Sequence, residues 1–284
     1  MLKKTCSIAA FCAAFLFIQL AQAQTDPGAL RHAGELRTLS QRVPKLYFQD
    51  ALDLNAGQAR RALGTAVNAF DEHLQALGGI AMTPSMQKSH TKTTALWAEC
   101  RTIVNALPNK NGAAKLSYLA DELMIATGKL AFLLESDAIG SNARLVDLSM
   151  RQSMLAQRLA KVYLARRLLG ASGASLVDLE QARSEFKTAL HELTGAPDNT
   201  QKTRDALDLA VAQWIFFEQA IKEADKGERQ LALNVSTTSE RIGEAMGDVV
   251  ASYEATIRAA AKAETAPAMA AIAQRSKVRE AMRP

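Results

Sequence analysis

Cysteine is scarce in this 284-residue chain, and two of the three, Cys6 and Cys12, lie in an N-terminal stretch that reads as a leader. Without that stretch Cys100 stands alone and no internal disulfide is available. Its place one turn after Trp97 in a helical pattern fits a small buried hydrophobe. Aromatic residues make up only 5%, and the basic residues are interspersed with acidic ones, which excludes a base-stacking platform or a nucleic-acid stripe. The four histidines, His32, His73, His90 and His191, form no H-x-x-x-H pair, and there is no C-x-x-C-H. No metal, no cofactor and no catalysis are therefore expected. Long hydrophobic runs are confined to the N-terminus, since the alanine-rich stretch from Ala255 to Ala273 is interrupted by Arg258, Lys262, Glu264 and Pro267. No stable membrane insertion is expected once the leader is gone.

The leader has the order of a secretory signal: Lys3 and Lys4, an apolar run from Ile8 to Leu20, then Ala21-Gln22-Ala23 as a small-x-small cleavage site. The expected product is an exported, periplasmic chain beginning near Gln24. Removing the leader lowers the formal charge of +5 to 32 basic against 29 acidic residues, too mild a balance for a polyanion binder.

What remains is helical in period. Apolar residues recur at three and four positions, while β-branched runs and tight hairpin dipeptides are rare. The pattern predicts helices over 29–54, 57–77, 88–107 and 113–138, then over 141–169, 176–193, 200–224 and 228–263. Ser175 followed by Asp178 reads as an N-cap with an acidic third residue. The predicted fold is all-α: two tandem antiparallel four-helix bundles at 24–139 and 140–264, after a signal peptide at 1–23 and before a flexible tail at 265–284. The connection Ile139-Gly140-Ser141 is short, so a near-continuous helix joining the bundles into an elongated rod is expected.

The two halves share a motif. Leu39-Ser40-Gln41-Arg42-Val43-Pro44-Lys45-Leu46-Tyr47 and Leu155-Ala156-Gln157-Arg158-Leu159-Ala160-Lys161-Val162-Tyr163 both read L-x-Q-R-x-x-K-x-Y at an offset of 116. Phe70 with Phe186, Leu74 with Leu190 and Leu77 with Leu193 keep that offset, and the only two tryptophans, Trp97 and Trp214, follow at 117. Landmarks in one order at a constant spacing indicate an internal duplication.

On the first motif helix Leu36, Leu39, Val43 and Leu46 form the core stripe, with Arg37, Ser40 and Gln41 beside it. Arg42 lies about 140° around the helix from Arg37, so the two arginines have different tasks. In the second half Gln152 falls on an otherwise apolar stripe, and a buried amide needs partners. Two readings stand side by side. Gln41, Arg42, Gln157 and Arg158 are bundle residues that snorkel or cap, with Lys45 and Lys161 solvated, or the guanidinium groups meet an anion or carboxylate whose planar oxygens suit their fork. Pro44 removes a helical hydrogen bond and is expected to kink the first motif helix beside Ser40. Ser153 stands where the first half has Arg37, so the halves are not equivalent. The candidate binding residues are Arg37, Ser40, Gln41, Arg42, Gln152, Gln157 and Arg158.

Arg37-Thr38-Leu39-Ser40-Gln41-Arg42 resembles the R-x-L-S-Q-R signature of the PilJ-like family. That family comprises the N-terminal sensory domains of type IV pilus methyl-accepting chemotaxis transducers and is related to the periplasmic four-helix domain of nitrate-responsive histidine kinases. The resemblance extends over the mature chain as two tandem domains, the second with Ala156 in place of the serine. It implies a sensory module in which Arg37 meets a small anion such as nitrate, an arginine pair across a homodimer being the arrangement in the nitrate sensors. The relatives carry transmembrane helices and an output domain. This chain is therefore expected to signal through a membrane receptor, transporter or pilus-associated protein. The alternative from the same residues is a structural or interaction protein of the cell envelope with no small ligand.

Overall fold

A computed structural model describes residues 27–137, 141–223 and 228–281. The expected signal peptide and the Ile139-Gly140 junction lie outside the described residues. The described chain is all-α: α1 (Pro27–Ala51), α2 (Ala56–Gly78), α3 (Pro84–Val104), α4 (Lys110–Asp137), α5 (Ser141–Leu169), α6 (Gly173–Thr194), α7 (Gln201–Lys222) and α8 (Arg229–Ala281).

Local chemistry sets the ends. Pro84 and Thr83 open α3, the Thr83 side chain accepting from the Met86 N–H at 3.3 Å. Thr200 caps α7 in the same way through the Thr203 N–H. Between α1 and α2 the chain turns through Asp53 and Asn55, both at φ 54°, a left-handed conformation that Asp and Asn adopt more readily than other non-glycine residues. The cap of α6 is Ser172, three residues earlier than the Ser175 expected. Ser172 is extended, and Ser175 instead occupies the third helical position and completes a reciprocal capping box.

α1 runs uninterrupted through Pro44. α8 likewise continues to Ala281, past the tail expected after Pro267, because the run of alanines there has the highest helix propensity of any residue.

Each half closes as a four-helix unit. α1 packs on α2 and α4, and α3 on α4; α5 packs on α6 and α8, and α7 on α8. The core stripe of α1 is buried as its spacing predicts, Leu36, Leu39, Val43 and Leu46 all being at most 4% exposed. One aromatic stack bridges the second and third helix of each half at nearly the same geometry. Phe70 lies 3.9 Å from Trp97 at 19°, and Phe186 lies 4.1 Å from Trp214 at 18°.

The halves do not extend end to end. α1 packs along α5, the most extensive helix–helix contact among the described residues, and one hydrophobic cluster runs through both halves. This corrects the expected rod. The contact is made by the two motif helices, whose lysines are buried and meet counter-charges in the opposite half. The approach is close at Gly34, where a Cβ would stand 2.1 Å from Met150 Sδ.

Candidate functional site

The directions of α1 and α5 follow from their contacts with α8. Arg31 meets Glu254 at 3.0 Å while Lys45 meets Glu240, so α1 runs antiparallel to α8. Gln157 donates to the Ser239 carbonyl at 3.1 Å and Arg167 to the Glu228 carbonyl at 3.5 Å, so α5 does too. The motif helices are therefore parallel to one another.

Across that contact the shared motif makes a reciprocal set of ties. Gln41 Nε2 donates to the carbonyl of Ala120 at 2.9 Å, on the fourth helix of its own half, and Gln157 does the same to Ser239. The next residues on those helices are Asp121 and Glu240, and each carboxylate turns to the lysine of the other half. Lys161 donates to Asp121 at 2.5 Å, and Lys45 donates to Glu240. Each half thus holds its motif helix by an amide and the opposite motif helix by an acid. Lys45 and Lys161 are 0% and 1% exposed, which corrects the reading that left them solvated.

Glu240 also takes the Nε–Nη2 edge of the Arg42 guanidinium, with Nε at 3.0–3.1 Å and Nη2 at 2.8 Å. Burial pushes the Glu240 carboxyl up, but Lys45 and Arg42 together outweigh it and hold it down at about 2. Burial lowers the Lys45 ammonium against the pull of Glu240. The ionised pair is the state we take, since the same carboxylate accepts from two cations.

The remaining arginines depart from this symmetry. Arg158 turns to Asp178 on α6 of its own half. Arg37 crosses from α1 to α5, donating through Nη2 to the side chain of Asp147 at 2.9 Å and to its carbonyl at 3.1 Å. Arg37 and Arg42 have different partners, as their 140° separation requires. Ser40 Oγ donates to the Arg37 carbonyl at 2.6 Å, and Gln152, fully buried, donates to the Phe186 carbonyl at 3.0 Å.

A groove of about 530 Å³ opens between α4 and α5, entered by Arg37 from α1. Arg144, Arg151 and Arg158, spaced by seven along α5, line it together with Glu135, Asp147 and Glu185. Each of the four guanidinium groups already holds a carboxylate: Arg37 that of Asp147, Arg144 that of Glu192, Arg151 that of Glu185 and Arg158 that of Asp178. The Nε atoms of Arg37 and Arg158 are buried there without a hydrogen-bond partner. Glu135 is raised above the usual carboxylate range, first by burial and then by neighbouring Asp147, against the pull of Arg144 and Arg37. Of the seven candidate residues Arg37 and Arg158 thus meet at this groove, whereas Ser40, Gln41, Arg42, Gln152 and Gln157 bond to helices of the interior. Cys100 is buried and its thiol pushed up to about 12 by desolvation. Among the described residues no group of three or more His, Cys, Asp or Glu side chains is placed to hold a metal ion.

Asp121 and Glu240 were not legible as partners from charge alone, because a solvated helix face carries similar residues. The signal lies in a second alignment offset, 119, which pairs Ser117 with Ser236, Asp121 with Glu240, Gly128 with Gly247 and Glu135 with Glu254.

Residues 18–113 match the family model described as PilJ: Type IV pili methyl-accepting chemotaxis transducer N-term. This part of the chain is similar to that family. The match runs through α1, α2 and α3 into the first turn of α4, and so contains the Arg37-to-Arg42 segment and the first motif. That model describes the N-terminal domain of a chemotaxis transducer. No curated protein and no solved structure matches the chain. No helix among the described residues is long and apolar enough to cross a membrane.

Proposed function

We propose that the chain is an exported, periplasmic sensory module, without enzymatic activity, that binds a small nitrate-like anion beside Arg37. It reports its state to a membrane receptor, transporter or pilus-associated protein. In this reading the second half is a diverged copy of the PilJ-like first half, and the two together stand in for a homodimer within one chain.

One observation carries the ligand reading. Arg37 is 6% exposed, lines a groove that carries three further arginines and keeps its Nε–H unpartnered. A buried N–H without an acceptor costs about 1–3 kcal/mol, and an oxyanion in the groove would remove that cost. Signalling follows from the position of the partner. Asp147 belongs to α5, so an anion that competes for the Arg37 guanidinium loosens one tie between the halves while the lysine ties hold. A structural or interaction protein with no small ligand is the second reading, favoured by the carboxylate that each motif arginine already holds.

Calorimetry and thermal melts with nitrate, nitrite and small carboxylates separate the two. At 100 times its dissociation constant a single-site ligand raises stability by about 2.7 kcal/mol. That shift is expected for the wild type and absent in Arg37→Ala. No heat and no shift with any anion would leave the second reading.

A further inference from the structure

Three charged residues of the Arg37 groove have counterparts between α1 and α8. By the offsets of 116 and 119, Asp147 corresponds to Arg31, Arg37 to Ser153, and Glu135 to Glu254. In the counterpart a cation faces the acid, Arg31 bonding Glu254 at 3.0 Å. In the groove a second acid takes that place: Asp147 stands where Arg31 does and acts on Glu135 as a like charge. The cations that act on Glu135 are Arg144 and Arg37, and each is ion-paired elsewhere, to Glu192 and to Asp147. Of the three acids lining the groove, Asp147 and Glu185 hold an arginine, whereas Glu135 forms no ion pair among the described residues.

Two groups of opposite kind are thus left over. One is the Arg37 Nε–H, unpartnered on a residue only 6% exposed. The other is the Glu135 carboxylate. A bare anion would satisfy the first and set a further negative charge beside Glu135 and Asp147, and a bare cation would satisfy the second and leave the first. Met124, Phe132, Leu148 and Met154 line the same groove with apolar surface. Its volume of about 530 Å³ lies in the ~300–1,000 Å³ range of small-molecule sites.

We propose that the groove binds a zwitterionic α-amino acid with an apolar side chain, a ligand class that rests on the anion reading and narrows the anion to a carboxylate. The carboxylate accepts from Arg37 Nε. The ammonium, with three donors and no acceptor, meets Glu135 and Asp147 and offsets their repulsion. The apolar side chain lies along Met124, Leu148 and Met154, where it leaves water. In the counterpart Ser153 supplies no guanidinium and Arg31 leaves no surplus acid, so one such site per chain is expected.

Calorimetry with L-leucine, and with the same skeleton lacking one charged end, 4-methylpentanoate or 3-methylbutylamine, tests both contacts on the wild type. Leucine should bind at least about tenfold tighter than either analogue, since each lacks one charge-assisted hydrogen bond. Glu135→Gln should weaken leucine at least about tenfold and tighten nitrate, because the removed charge attracts one ligand and repels the other. Its melting temperature should not fall, since no ion pair of Glu135 is lost. Leucine no tighter than either analogue, or Glu135→Gln shifting leucine and nitrate in the same direction, would overturn the proposal. Nitrate binding without leucine binding overturns it and leaves the anion reading standing, whereas no binding by nitrate, leucine or 4-methylpentanoate overturns both.

Discussion

Lys45 has no solvent contact, and its ammonium is held in the interior by Glu240, which also receives Arg42. Removing one partner of such a pair leaves an uncompensated charge, whereas replacing both by apolar groups removes the desolvation cost as well. Glu240→Gln is therefore expected to lower stability by about 3–5 kcal/mol in urea unfolding, and Lys45→Met added to Glu240→Gln to recover most of it. The same residue sets an acid limb. The folded Glu240 carboxyl titrates at about 2 instead of 4.5, so its stabilisation is complete above about pH 4.5 and is lost as pH falls toward 2. His73, which desolvation together with His32 and Arg31 lowers to about 4, acts at higher pH. Its unfolded form binds a proton that the folded form refuses, so stability already declines from pH 6.5 toward 4. Melts of Glu240→Gln should lose the part of the dependence below pH 4.5 that Glu240 carries, the lowered Glu185 and Glu218 carboxyls keeping the rest, and should keep the one above it.

At the scale of elements, periodicity located the eight helices of the described residues, and Ser141–Leu169 agrees at both ends. Boundaries moved where a local hydrogen bond outweighed composition, as at Ser172, or where propensity carried a helix past a proline, as in α8. Pro44 bears on the first motif helix in the same terms. It has no N–H to offer the Ser40 carbonyl, four residues back. Pro44→Ala restores that bond and is expected to raise stability by up to about 3 kcal/mol, seen as a higher melting temperature. A lower melting temperature would mean that α1 relies on the proline to shape its contact with α5.

For the whole molecule, the reciprocal lysine ties and the single apolar cluster make the halves one cooperative unit. Each half holds one tryptophan in a stacked pair, so Trp97→Phe and Trp214→Phe leave single reporters for either side. Urea transitions followed by the two reporters are expected to coincide. Gly34→Leu drives a side chain into Met150 at the closest approach of α1 and α5. It should cost about 1–3 kcal/mol and separate the two midpoints if the contact between the halves carries the coupling.

The sequence by itself determined the helical class, the places of the elements, the shared motif and the burial of the leucine stripe, because each rests on spacing along one chain. It also showed that Arg37 has no equivalent, since Ser153 stands in its place. Only the tertiary structure decided that the motif helices lie parallel and in contact, that Lys45 and Lys161 are buried, and that Asp121 and Glu240 hold them. Those facts depend on pairings between residues 40 to 195 positions apart. A charge pattern on one helix is the same whether water or another helix faces it, and packing alone distinguishes the two.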